Sequence, residues 1–325
     1  MIKKSAFIIA LVVGFALIFT GPAMGHDIEF MSIATGGTGG VYYPVGGGMA
    51  ELINQHTDIS ATAEVTGASV ENVRFIQDLE VEWGLAQNDI TFYAKFGEEM
   101  FEGDDMGDLR GIAMMYPEDI QIITLEDSGI ETVADFEGRD IAVGAPGSGT
   151  EANARQIIEA HGLTYDDMTV DFLSFVEAVD ALRDGHVDAA FVTAGIPTGS
   201  VVDLSATHNP KIVGIEDDAM EVIKENYPYY VETIIPGGTY EGIEEDQRTV
   251  AVLAMIITNA TLPDDFIYET TAAVFDNYEY LGEIHDRGKE VTLETALDGM
   301  PIELHDGARQ YYEDRGFDVD EYLDF

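Results

Sequence analysis

From His26 onward, short apolar runs of strand length alternate with stretches whose apolar residues recur at helical spacing, and few folds accommodate that rhythm. Residues 28–34 read as a strand, and Tyr42, Val45, Met49, Leu52 and Ile53 then mark one face of a helix. Residues 60–65 read as strand, 69–79 as helix and 82–86 as strand. The same order returns with strand 141–144, helix 151–161, strand 170–173, helix 176–183 and strand 188–192. Strands and helices taken in turn bury their apolar faces by building parallel sheets, so the expected class is α/β.

The two halves echo each other. Helix 70–79 leads through Glu80 and Val81 into a strand that ends in the small polar loop Gln87-Asn88-Asp89. Helix 176–183 stops at Gly185, a helix-ending glycine, and its strand ends at Thr193-Ala194-Gly195. Open α/β sheets bind ligands at the carboxyl ends of their strands. Two such sheets facing each other predict a clamshell that closes on a solute; the alternative is one doubly wound domain. Residues 112–125 and 250–259 read as two hinge strands between lobes. Lobe I then comprises residues 26–118 and 258–325, including return helices at 263–277 and 306–315, and lobe II comprises residues 119–257.

The start of the chain is set apart from this fold. Lys3 and Lys4 precede an apolar run from Ala6 to Phe19, Gly21 and Pro22 break it, and Ala23-Met24-Gly25 forms a small-x-small cleavage site. Residues 1–25 are therefore expected to be a secretory signal peptide. The alternative, an uncleaved anchor, needs about 20 apolar residues to span a bilayer, and this run is shorter. With no cysteine there is no disulfide, thiolate metal site, cysteine nucleophile or lipid-modified cysteine. The expected location is outside the cytoplasmic membrane, free and not lipid-anchored.

Sixty-two acidic residues face fifteen basic ones, a formal charge of −47. Phosphate binding needs basic surface, so a nucleic-acid partner is excluded. The acids are spread through the apolar-periodic segments and do not form a tail, which suits a folded protein in brine, where self-repulsion is screened.

Two glycine-rich turns stand where strands meet helices. Thr35-Gly36-Gly37-Thr38-Gly39-Gly40 approaches a dinucleotide fingerprint, but Tyr42 stands where its last glycine belongs. An anion-binding loop and a plain tight turn both remain open for it. Gly144-Ala145-Pro146-Gly147-Ser148-Gly149-Thr150 approaches a phosphate loop, but Thr150 replaces its lysine. Ser148 and Glu151 also fit a capping box, which is compatible with spare amides for a carboxylate. Consecutive helical positions do not share a face, so either Tyr42 or Tyr43 is expected to line the cleft unless both serve the core. No metal-binding His-Glu-x-x-His and no Gly-x-Ser-x-Gly elbow is present, and the seven histidines show no ligand spacing. The expectation is a binding protein with no catalytic residue, metal or cofactor; the alternatives are a secreted α/β hydrolase and a sensory receptor acting on a signalling partner.

The sequence also resembles the TAXI-type solute receptors of TRAP transporters, which are tripartite uptake systems driven by ion gradients. The resemblance runs through the first glycine loop with Tyr42, Tyr43 and Pro44, Gly67-Ala68-Ser69-Val70-Glu71-Asn72, Tyr116-Pro117-Glu118 and the passage from Val143 to Glu151. It continues through Asp188-Ala189-Ala190-Phe191, Thr193-Ala194-Gly195, Tyr227-Pro228-Tyr229-Tyr230, Ile235-Pro236, His305-Asp306-Gly307-Ala308 and Tyr311-Tyr312. It implies a two-lobed, type II-like periplasmic-binding-protein fold, a monomer that delivers a small organic anion, glutamate-like or a dicarboxylate, to a permease. By position it implies contacts from Thr38, Gly39, Gly40, Tyr42 and Tyr43, from Ser69, Gln87 and Asp89, and from Ser148, Gly149, Thr150, Thr193 and Gly195. Asp89 would accept from an amine. Ala68, where glycine is common, and Asp306, where proline is, depart from the pattern and are expected to lie away from the site. Arg74 and Arg155 are candidates for a site arginine without an assigned place.

Overall fold

The computed structural model describes residues 26–322; the expected signal peptide lies outside the described residues. The first part of the chain builds β1 (Phe30–Ala34), α1 (Tyr42–His56), β2 (Ser60–Glu64), α2 (Ser69–Gln77), β3 (Trp83–Gln87) and α3 (Asn88–Phe96). The long strand β4 (Leu109–Leu125) follows. A second series comprises β5 (Asp140–Ala142), α4 (Gly149–Ala160), β6 (Thr169–Asp171), α5 (Phe175–Asp184) and β7 (Ala189–Ala194). It continues with α6 (Gly199–Ser205), β8 (Pro210–Val213), α7 (Asp217–Asn226) and β9 (Val231–Ile235). The second long strand, β10 (Gln247–Asn259), leads to α8 (Asp264–Phe275), the short α9 (Leu281–Ile284) and α10 (Asp306–Asp314).

The expected echo is present in the pairing. In the first lobe β1 lies parallel to β2 and β3, and β10 runs antiparallel beside β3. In the second lobe β5 lies parallel to β6 and β7, and β4 runs antiparallel beside β7. The two sets are not separate sheets, however. Leu109–Asp119 of β4 pairs with Ala251–Asn259 of β10, so one hydrogen-bonded path runs through both lobes in the order β2-β1-β3-β10-β4-β7-β5-β6. Along β10 the other edge changes partner, from β9 at Gln247–Ala251 to β3 at Ala254–Ile257. The long strands thus serve both lobes.

Local chemistry explains these elements. Every residue of β3 is buried, as an unbroken apolar strand in the middle of a sheet should be. Helix α5 has a reciprocal cap: Ser174 Oγ accepts from Glu177 N at 3.4 Å, and Glu177 Oε2 accepts from Ser174 N at 2.9 Å. Gly185 ends that helix at φ 68°, a left-handed position that favours glycine. The Ser148 cap of α4 forms only in part. Ser148 Oγ accepts from Glu151 N at 3.3 Å, but the Glu151 carboxylate is taken by Tyr165 Oη at 3.0 Å.

Gln87-Asn88-Asp89, read as a loop, is instead the junction where β3 passes straight into α3. Asn88 does not cap that helix. Its Oδ1 accepts from Leu253 N at 2.9 Å, next to a register shift in β10, and so serves an amide the irregular ladder leaves free. One apolar core joins Trp83, Leu85 and Ile256 to Phe266 and Tyr312, and a second gathers Phe136, Ile157, Phe191 and Ile223. Among the described residues no helix is long and apolar enough to cross a membrane.

Candidate functional site

A cavity of about 70 Å³ lies where the strand ends of the two lobes meet. At 10–15 Å³ per water position it has room for about five waters, the scale of a small molecule. The first lobe contributes Gly36, Gly37, Gly40, Val41 and Tyr42 after β1, Thr66 to Ser69 after β2, Gln87 at the end of β3, and Glu118 from β4. The second contributes Ala145, Ser148, Gly149 and Thr150 after β5, Ser174 and Phe175 after β6, and Thr193 and Ala194 at the end of β7.

The starts of four helices therefore converge on one space: α1 at Tyr42, α2 at Ser69, α4 at Gly149 and α5 at Phe175. A helix start carries a partial positive charge and unpaired amides, which makes it a ready site for an anion. The lining residues include no Lys, Arg or His. Gln87 Oε1 and Thr193 Oγ1 are buried in this wall, without a hydrogen-bond partner among the described residues.

Of the residues expected at the site, Gly40, Tyr42, Ser69, Gln87, Ser148, Gly149, Thr150 and Thr193 line the cavity. The other five do not. Thr38 is exposed on the turn, and Gly39 turns its carbonyl to the amide of Ser200 at 3.1 Å. Tyr43 points outward and is 37% exposed, while its neighbour Tyr42 is buried in the wall. Gly195 lies against Arg287 and Tyr116, where a Cβ would come within 2.6 Å of Arg287 Cγ.

Asp89 is sealed behind the wall, where Oδ2 accepts from Asn153 Nδ2 at 2.8 Å. The carboxyl that does reach the cavity is Glu118, which the sequence placed in a matched passage but not at the site. The available signal was a pair of acids, Glu118 and Asp119, interrupting an otherwise apolar hinge strand. Ser174 and Phe175 were also missed. Ala68 is corrected too: it lines the cavity, at φ 80°, because the turn into α2 dips into the wall there. Arg74 pairs with Asp104 at 3.1 Å and Arg155 with Glu99 at 2.9 Å, both away from the cavity.

Direct bonds join the lobes around this space. Gly147 O, ahead of α4, accepts from Val70 N at 3.1 Å and Glu71 N at 3.2 Å at the start of α2. Deeper in, Asn153 donates to Asp89 and to Tyr230 Oη, each at 2.8 Å. Gln156 donates to Tyr93 Oη at 2.7 Å and accepts from Tyr230 Oη at 2.6 Å, and Tyr93 bonds to Tyr229.

Burial drives the unusual acidity of the enclosed carboxyls. It raises Asp89 from 3.8 to about 7, against the opposing hydrogen bonds from Ile90 N and Asn153. Burial also raises Glu118 from 4.5 to about 8; the charges of Asp89 and Asp119 add to this, and the bond from Tyr42 and the charge of Arg287 oppose it. Folded Asp89 keeps its proton to about pH 7, whereas an unfolded chain loses it near 3.8. The folded state then binds more protons between these values, so stability falls as pH rises through that window. Asp89→Asn is expected to reduce the loss of melting temperature between about pH 4 and pH 7, measured in molar salt; an unchanged slope would contradict the burial of this carboxyl.

Comparison with known proteins fits this geometry. A model of the NMT1-like family matches residues 33–316, and the chain belongs to that family. The structure of PhnD1 from Prochlorococcus marinus in complex with methylphosphonate aligns with a TM-score of 0.52 at 8% identity, covering 81% of this chain and 91% of that one. A protein from Bordetella bronchiseptica RB50 aligns with a TM-score of 0.53 at 17% identity, covering 88% and 82%. The fold is thus the two-lobed α/β arrangement of periplasmic binding proteins.

Proposed function

We propose that this chain is an extracytoplasmic receptor that closes on a small organic anion, a glutamate-like amino acid or a dicarboxylate, and delivers it to the permease of an ion-gradient-driven TRAP transporter. The observation that carries this reading is the convergence of four helix N-termini on a cavity whose wall holds no cationic side chain. Such a site attracts negative charge through backbone amides and neutral donors. The proposed contacts are Gly40, Tyr42, Ser69, Gln87, Ser148, Gly149, Thr150 and Thr193. The lobes are residues 26–118 with 258–325, and residues 119–257; the shared use of β4 and β10 supports two crossings between them. The order of the glycine loops and of the tyrosine and proline motifs supports a TAXI-type receptor. Binding breaks no bond, and no catalytic residue is assigned.

Calorimetry in molar salt with a panel of amino acids and dicarboxylic acids tests the reading. The expected result is saturable, stoichiometric heat and a melting temperature that climbs with ligand concentration. No heat and no thermal shift across the panel, or turnover of simple esters, would overturn it. A gene for a large multi-span membrane protein beside this one would support transport over signalling.

A further inference from the structure

Asp89 on α3 and Asn153 on α4 meet between the lobes, and solvent reaches neither side chain. Asn153 Nδ2 donates to Asp89 Oδ2 and to Tyr230 Oη, each at 2.8 Å, so both of its hydrogens are committed. Tyr230 spends its own proton on Gln156 Oε1 at 2.6 Å and must accept from Asn153, which fixes the orientation of that amide. Asp89 Oδ1 and Asn153 Oδ1 are then left buried, without a hydrogen-bond partner among the described residues. Neither residue lines the cavity.

These orphaned oxygens belong to two planar groups already joined by one bond. With Asp89 ionised both are acceptors, neither can serve the other, and a buried charge lacks its second bond. With a proton on Oδ1, Asp89 can donate to Asn153 Oδ1 while still accepting from Nδ2. A single hydrogen satisfies both atoms.

The surroundings favour that proton. The titratable groups facing Asp89 are Tyr93 on α3, Tyr229 and Tyr230 ahead of β9, and Glu118 on β4, all neutral or acidic. Helix α4 also carries Arg155, which is paired with Glu99 of the 3₁₀ turn Glu99–Phe101 at 2.9 Å, and α2 carries Arg74, paired with Asp104 at 3.1 Å. Strand β3 and the stretch of β10 beside it, Ala254–Ile257, have no titratable residue.

We propose that Asp89 and Asn153 form an acid–amide pair closed by one proton, and that bringing the lobes together takes up this proton. Joined, the carboxyl keeps its proton to about pH 7. Parted, it regains water and titrates near its ordinary 3.8. The joined state thus binds more protons between these values. Joining is most favoured below 3.8, weakens about tenfold per pH unit toward 7 and levels off above it. The pair lies beside the ligand cavity, and its test needs no ligand.

An infrared difference spectrum, native minus Asp89→Asn, taken at about pH 6 in molar salt, is expected to show the C=O stretch of a protonated carboxyl. A carboxylate band in its place would mean an ionised acid, its second oxygen served by a trapped water or cation, and would overturn the pair. Small-angle scattering on the native protein without added ligand reads the joining. The ratio of joined to parted molecules is expected to fall roughly 100-fold from about pH 5 to about pH 8, seen as a rise in radius of gyration. Asn at position 89 can donate to Asn153 Oδ1 and accept from Nδ2 at any pH, so Asp89→Asn is expected to stay compact throughout. Tyr93→Phe, altered at the far end of the chain through Gln156, is expected to keep the native pH profile.

Native dimensions that do not change with pH, or an Asp89→Asn protein that opens with the native profile, would overturn the proposal. The receptor reading would stand in either case, because ligand calorimetry decides it separately. The native scattering profile holds whether or not the variants fold.

Discussion

Replacing Gly67 with valine is expected to weaken ligand binding by roughly 100-fold, while the melting temperature of the empty protein moves by only a few degrees. Gly67 lies between β2 and α2, and a Cβ there would sit 2.8 Å from the carbonyl oxygen of Pro146 on the other lobe. That oxygen belongs to the backbone and cannot rotate away as a side-chain tip could. The adjoining bonds from Val70 N and Glu71 N to Gly147 O fix the same seam. Overpacking of this kind costs about 1–3 kcal/mol, and it falls at a residue that both lines the cavity and meets the opposite loop. Apparent affinity scales with the population of the closing-competent form. Calorimetry would measure the loss, and small-angle scattering should show a more extended particle. Native affinity in the variant would mean that the ligand-bound state does not use this seam.

Transfer from about 2 M to about 0.05 M sodium chloride is expected to lower the melting temperature by on the order of 10 °C or more. The chain carries a formal charge of −47, and its few basic residues are largely engaged already. Arg248, for example, bonds to both Glu232 and Asp217, and Arg315 to Asp276. The remaining surface acids repel one another. At 1 M salt the screening length is about 3 Å, against about 30 Å at 0.01 M, so dilution exposes each acid to many more neighbours. The single tryptophan, Trp83, is fully buried in β3 and reports unfolding by fluorescence. A melting temperature indifferent to salt would remove the case for a protein adapted to brine.

The parallel sets were legible because their strands and helices alternate and their turns carry glycine or a capping serine, as at Ser174 and Gly185. Long-range pairing was less accessible. Nothing local to residues 109–125 announces that this strand joins β10 along one half and β7 along the other. Helix α3 was hidden because it begins with no turn residue between it and β3, and because Asn88 spends its side chain on Leu253 instead of on the helix start. At the site, positional reasoning named loops that border the cavity but could not tell a wall from its backing. Asp89 and Glu118 illustrate the difference: both are buried acids, one at the start of α3 and one midway along β4, and only the three-dimensional crossing of β4 brings Glu118 to the cavity.

The pairing of β3 with β10 also bears on how the molecule assembles. The edge of β3 that ends at Gln87 stays bare until Ala254 has been delivered, whereas β4 finds β7 within a much shorter span. A chain supplied N-terminus first can therefore pair β5, β6, β7 and β8 with one another and with β4 while β3, and the part of the second core that holds Val250 and Val252, still wait for β10. Until then, an uncovered apolar edge at β3 is open to mispairing with other chains, and the dense negative charge of the polypeptide helps keep newly delivered molecules apart.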